Sequence, residues 1–339
     1  MSTYLITGGA GFIGSHLTER LLDDGHDVIV LDDLSTGSLE NLEQASRNRR
    51  FKFVRGSVQD LSIVSELVAP ADTVFHLAAT VGVMTVMKHP VATMRNNVRG
   101  TENVLDAAAR STPKKKVIVT STSEVYGQME SVPFLEEGGL MLGPTHNIRW
   151  GYAASKLVDE FLALAYRHEF SVPTVVVRPF NTIGPRQTGE YGMVVPRFFE
   201  QALDGDDLTV FGDGTQTRCF TYVSDTVEWL VRLARSDHAV GEIFNLGNTE
   251  EVSIRELAER IIRLTGAKVG IRNVPYEKAY GEGFEDMQRR VPSIQKVATL
   301  VGHSPQITLD EALERVYLWV LARRGENHAK VARGAVVQG

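Results

Sequence analysis

Cysteine is nearly absent. Cys219 is the single one in 339 residues, which excludes an internal disulfide and fits a reducing compartment. No apolar run is long enough to span a bilayer, and Met1 leads directly into a strand pattern with no charged leader ahead of an apolar segment. A cytoplasmic protein without membrane attachment is therefore expected. Long basic stretches are also missing: the net charge is -6, and Lys114-Lys115-Lys116 is a short run ahead of a strand. That leaves no electrostatic footprint for nucleic acid. No metal site is expected.

What the chain does contain is an alternation of strand and helix patterns over a length that can bury a large core. Tyr4-Leu5-Ile6 is an apolar run followed at once by a turn from Gly8 through Gly11, Phe12 and Ile13 to Gly14, and then by helical spacing that stops at Gly25. A glycine-rich turn between strand and helix lets the backbone approach a pyrophosphate and aims the helix N-terminus at its charge. A second strand, Val28 to Leu31, delivers Asp32 at the interval where dinucleotide folds place an acid on the ribose hydroxyls. An acid there repels a 2′-phosphate, so NAD is expected rather than NADP. The pattern continues through Phe51 to Val54, a helix over Leu61 to Val68, and the strand Thr73 to Leu77. Leu77-Ala78-Ala79 ends that strand with small residues, which lets a cofactor lie close, and His76 inside it reads as a core histidine. The class is α/β: a doubly wound parallel Rossmann sheet.

Two stretches carry the chemistry. Val117-Ile118-Val119 is an apolar strand, so Thr122, Ser123 and Glu124 emerge at its carboxyl end, where open α/β sheets place their ligands. Tyr152 and Lys156 are four apart and share one helix face. A phenol titrates near 10 and needs a nearby cation to act as a base at neutral pH; Lys156 is the expected source. The helix carrying Tyr152 is apolar on more than one face, which calls for a second packing partner besides the sheet. That partner is either the same helix of another subunit or a covering loop.

Taken together, Gly8 to Gly14, Asp32, Leu77-Ala78-Ala79, Asn97, Thr122-Ser123-Glu124 and Tyr152 with Lys156 resemble the extended short-chain dehydrogenase/reductases that modify nucleotide sugars, from residue 3 to about 322. The resemblance implies tightly held NAD, a C-terminal domain for a UDP-sugar, and a homodimer packed through the Tyr152 helix. Asn97 joins the cofactor set on this ground. The expected substrate set is Asn181 at a phosphate, Arg186, Phe211 beside the uracil, Arg218 at the pyrophosphate, and Arg289 or Arg290 at the phosphates or a carboxylate. One departure is Ser57 after Gly56, where many members have Asp near the adenine. The expected division is 1–179 with about 222–247 for NAD, 180–221 with about 248–322 for the nucleotide sugar, and a loose tail over 323–339.

Oxidation of a sugar hydroxyl at C4, with Tyr152 accepting the proton, Thr122 bonding the oxygen and Lys156 holding phenolate and ribose, opens several reactions. Sugar 4,6-dehydratases typically have Thr-Asp-Glu, and Ser123 cannot serve as their acid. Simple 4-epimerases usually have small or neutral residues where Glu124 stands. Thr-Ser-Glu, Arg149-Trp150-Gly151-Tyr152 and the run Tyr280 to Asp286 are similar to UDP-glucuronate decarboxylases. The expected catalytic set is Thr122, Ser123, Glu124, Tyr152 and Lys156. A UDP-glucose or UDP-glucuronate 4-epimerase is the alternative, and a non-catalytic NAD-binding scaffold a remote one.

Overall fold

The computed structural model describes residues 1–189, 192–280 and 286–336. In chain order the strands are β1 Thr3–Thr7, β2 Asp27–Asp32, β3 Phe51–Arg55, β4 Thr73–His76, β5 Lys116–Thr120, β6 Thr174–Pro179, β7 Thr182–Ile183, β8 Leu208–Phe211, β9 Thr217–Cys219, β10 Thr221–Tyr222, β11 Ile243–Leu246, β12 Glu251–Ser253 and β13 Ile271–Val274. The helices are α1 Phe12–Asp23, α2 Leu61–Val68, α3 Val83–Lys88, α4 Pro90–Arg110, α5 Trp150–Phe170, α6 Val194–Asp204, α7 Val223–Arg235, α8 Ile254–Thr265, α9 Tyr276–Tyr280, α10 Gln295–Val301 and α11 Leu309–Val336.

Seven strands form one parallel sheet in the order β11-β6-β5-β4-β1-β2-β3. Its strands are rich in buried β-branched residues because helices cover both faces. The α1 and α7 side buries Leu17, Leu21, Val30, Phe75 and Trp229. The α2, α4 and α5 side buries Leu5, Val74, Val104, Val117 and Val176. Strand order reverses between β1 and β4, and the crevice at such a switch point lies outside the strands' carboxyl ends. His76 is a core residue, as expected: its ring nitrogens lie 2.8 Å from Thr7 Oγ1 and 3.1 Å from Thr101 Oγ1.

Beyond β6 the chain builds a second lobe from three short pairs, β7 with β10, β8 with β13 and β9 with β12, under α6, α8 and α11. Helix α8 buries Ile254, Leu257, Ala258 and Ile261, one face at helical spacing. Its capping-box pattern is half realised. Ser253 Oγ accepts the Glu256 N–H at 3.1 Å, while the Glu256 side chain bonds Arg260 instead. The expected loose tail is a correction: α11 continues to Val336, and residues 337–339 lie outside the described set. Residues 323–336 hold three Ala and three Arg, good helix formers, beside Gly325 and Gly334. Upstream, Thr308 and Glu311 form a full reciprocal capping box.

Helix α5 faces the sheet with Ala153, Lys156, Glu160 and Ala163, while Val158 and Phe161 stand exposed on its far side. Val91 and Met94 of α4 are exposed as well. No described helix is long and apolar enough to cross a membrane.

Candidate active site

The site begins where β1 meets α1. Gly8 has φ of 74°, and a Cβ there would lie 2.7 Å from Ala78 N; on Gly14 it would lie 2.3 Å from Gly8 O. Only glycine lets this turn fold so tightly against the end of β4. Gly11 caps α1 without a side-chain bond. The first-turn amides at Phe12 and Ile13 therefore face outward with no intrahelical acceptor, a seat for a diphosphate. At the end of β2, Asp32 Oδ2 accepts the Ala10 N–H at 2.9 Å and Oδ1 the Leu34 N–H at 2.8 Å. Burial pushes its carboxyl above the usual range, opposed by these two bonds. Each oxygen keeps a lone pair for a ribose hydroxyl, and Asp33 next to it adds a charge that disfavours a further phosphate. The turn and the acid fit a dinucleotide without a 2′-phosphate.

A cleft of about 1070 Å³ runs from this turn, past the β5 end, into the second lobe. Gly8, Gly11, Phe12, Ile13, Gly14, Asp32 and Leu77-Ala78-Ala79 line one end, Thr122, Ser123, Glu124, Tyr152 and Lys156 the middle, and Asn181, Arg186, Phe211, Arg218 and Arg290 the remainder. Two expected site residues are elsewhere. Asn97 is fully buried behind the β4 loop, where its Oδ1 accepts the Thr80 N–H at 2.8 Å and its Nδ2 donates to Ser155 Oγ at 3.0 Å. It ties the β4 loop to α5, and its neighbour Asn96 lines the cleft instead. Arg289 points outward: its guanidinium is bound twice, at 2.8 Å each, to Glu251. Of the adjacent arginines, Arg290 is the one in the cleft.

Tyr152 lies at the first turn of α5, half-buried, with Thr122 within hydrogen-bonding reach. Thr122 Oγ1 already accepts the Glu124 N–H at 3.2 Å, which leaves its hydrogen for the phenol oxygen. Burial, then the charge of Glu124, raise the phenol above its ordinary value; Asp159 adds to this, while Thr122 and Arg290 oppose. Lys156 donates to Asp159 Oδ2 at 2.6 Å, both side chains buried. The lysine expected to serve the phenol thus has a carboxylate of its own.

Toward the second lobe, three guanidinia converge on one acid. Asp286 Oδ1 lies 2.8 Å from Arg149 Nη2 and 3.9 Å from Arg290 Nη2, and Oδ2 lies 2.8 Å from Arg218 Nη2. Burial works against its charge, but Arg218, Arg149 and Arg290 hold its carboxyl below the usual range. Glu124 sits between Arg149 at 3.8 Å and Arg290 at 3.5 Å. Arg290 is so deeply buried, with Arg218 beside it, that its pKa falls to about 10. Its Nη1 lies 3.4 Å from Ser123 Oγ. Such a cluster suits a ligand with several negative charges.

Arg149 is absent from the expected set, yet it lies three residues before Tyr152, the spacing that puts the two on one face. Phe211 carries the Arg197 guanidinium 4.2 Å above its ring and accepts Gln216 Nε2 at its carbonyl, 2.9 Å away. Asn181 donates to Cys219 O at 2.9 Å, and Arg186 is paired with Glu19 at 2.7 Å. In the resembling run before Asp286, residues 281–285 lie outside the described set.

A seven-stranded parallel sheet with a glycine turn, a ribose acid and a Thr/Tyr/Lys group at the β5 end defines a dinucleotide-dependent enzyme of the short-chain dehydrogenase kind. The chain belongs to the NAD dependent epimerase/dehydratase family, whose model matches residues 4–247. It is 44% identical over 317 residues to a UDP-N-acetyl-alpha-D-glucosaminuronate decarboxylase of Bacillus cytotoxicus, covering 93% of this chain and 96% of that one. It is 40% identical over 311 residues to UDP-glucuronic acid decarboxylase 1 of Xenopus tropicalis, covering 92% and 70%. Among solved structures it resembles the UDP-glucuronic acid 4-epimerase of Bacillus cereus in complex with UDP-glucuronic acid and NAD, with a TM-score of 0.85, 31% identity and coverage of 94% and 99%. The protein is an NAD-dependent enzyme of nucleotide-sugar chemistry.

Proposed function

We propose that this enzyme decarboxylates a UDP-hexuronate of the UDP-glucuronate type through a 4-keto sugar. The carrying observation is the placement of Glu124, with Ser123, between Arg149 and Arg290 and beside the Thr122 and Tyr152 pair. NAD, when bound, supplies the hydride acceptor at C4 and, once reduced, the donor. Tyr152 takes the O4 proton while Thr122 holds that oxygen, and Lys156 contributes positive charge below. The new ketone is β to the C6 carboxylate, so the C5–C6 bond breaks with release of carbon dioxide and its electrons form an enolate over C4 and C5. We assign to Glu124 the relay of a proton from water to C5, where carbon dioxide has left, and Tyr152 returns its proton to O4 when the ketone is reduced. Arg218 and Arg290 balance the diphosphate and the carboxylate. Asn181, Arg186 and Phe211, which line the same cleft, are assigned to the nucleotide.

A 4-epimerase is the second reading, favoured by the likeness to the Bacillus cereus enzyme. Incubation with UDP-glucuronate, and separately UDP-N-acetylglucosaminuronate, labelled at C6 decides between them by NMR. Label released as carbon dioxide supports decarboxylation; a new uronate that keeps the label supports epimerisation. We further propose a cytoplasmic homodimer, with the exposed Val91, Met94, Val158 and Phe161 on α4 and α5 as the shared face.

A further inference from the structure

Helix α5 carries two adjacent acids with different occupations. Glu160 is held by Arg178, 2.7 Å away, and by Ser121, so its charge is spent within the sheet-facing core. Asp159 turns to the other side and meets only Lys156 among the described residues, with Oδ1 buried and unpartnered. Lys156 lines the cleft; Asp159 lies behind it. A buried pair at 2.6 Å with side-chain exposures of 2% and 0% is screened little by water, so its charges are felt by whatever lies beside it.

We propose that Asp159 is a positioning residue for the reaction: it fixes the Lys156 ammonium under the cleft and, by cancelling that charge, sets the pH at which Tyr152 gives up its proton. The proposal rests on Tyr152 being the proton acceptor. The geometry carries it, because Tyr152, Lys156 and Asp159 lie at i, i+4 and i+7 along one stripe of α5. The other charged groups acting on the phenol are Glu124 from the β5 end, which raises it, and Arg290 from the segment before α10, which lowers it. Below the lysine stands His76 of β4, kept neutral by burial and by Lys156 itself. Asp159 is thus the acid that is bound to the lysine and whose charge also reaches the phenol.

The test uses the NAD-loaded full chain. Asp159→Asn keeps the shape and removes the charge; Asp159→Glu keeps the charge. Two readouts are followed: the acid limb of kcat/KM against pH, and the near-ultraviolet titration of the tyrosine that disappears with Tyr152→Phe. In Asp159→Asn both midpoints should move to lower pH by about one unit, as expected when a buried like charge near an acid is removed. In Asp159→Glu they should stay near the parent. Midpoints that coincide with the parent in Asp159→Asn, or that rise, overturn the proposal. So does loss of the fold in both Asp159→Asn and Asp159→Ser, which would make the residue structural. The optical titration needs no sugar nucleotide, so it stands even if decarboxylation is refuted, and turnover retained by Tyr152→Phe would instead refute the proton-acceptor reading.

Discussion

Glu124 and Arg290 face each other across the cleft with Oε1 3.5 Å from Nη2, although they are 166 residues apart in the chain. One comes from the Rossmann strand end and the other from the second lobe, so this pair forms only where the lobes meet. If Glu124 relays a proton from water to C5, Glu124→Gln keeps the shape but removes the relay. Turnover should fall about a hundred- to ten-thousand-fold while NAD content and the melting temperature persist. Steady-state rates of carbon dioxide release, set beside cofactor content, check this.

Tyr152→Phe removes one hydroxyl and little volume from the first turn of α5. Turnover should be abolished while UDP binding, measured by calorimetry, stays close to that of the parent. Rapid turnover in this variant would place the base elsewhere.

Asp32 takes two backbone amides and keeps its remaining lone pairs toward the cleft. Cofactor released by heat and weighed by mass spectrometry should be NAD. Asp32→Asn should weaken NAD retention and narrow the preference over NADP, because the repelling charge is gone while the shape remains.

His76 is buried neutral, its pKa pushed down to about 3 by burial and by Lys156. An unfolded histidine titrates near 6.5. Between these values the unfolded chain binds the proton and the folded chain does not, so the contribution is complete above about pH 6.5 and is lost as pH falls toward 3. Its slope is about 1.4 kcal/mol per pH unit. His76→Gln should flatten the fall of melting temperature over that window, as read by calorimetry at several pH values.

Where local pattern decides the outcome, the sequence was sufficient. The glycine turn, Asp32 at the β2 end and the Tyr152 and Lys156 face each follow from neighbours within a few residues, and each lies where its spacing put it. Arg149 and Asp286 lie in segments that carry the resemblance, yet neither they nor Asp159 belong to the expected site set, for different reasons. Arg149 and Asp159 were within reach, since both are at helical spacing from Tyr152, but an arginine or an aspartate on a helix is ordinarily a solvated residue. Asp286 gains its meaning only from Arg149 and Arg218, 137 and 68 residues away, contacts that no local period encodes. Asn97 and Arg289 show the reverse: each stands next to a cleft residue, and a shift of one position along the chain turns the side chain away.

The way the chain crosses between the lobes limits how this enzyme can change. It leaves the sheet after β6, returns with α7 and β11, departs again through β12, and comes back with α10, which packs on β11. No single cut frees the second lobe, because its strands pair across those returns, β8 with β13 and β9 with β12. It cannot be traded as one contiguous cassette between relatives, so a new sugar specificity must arise by replacement in place, residue by residue.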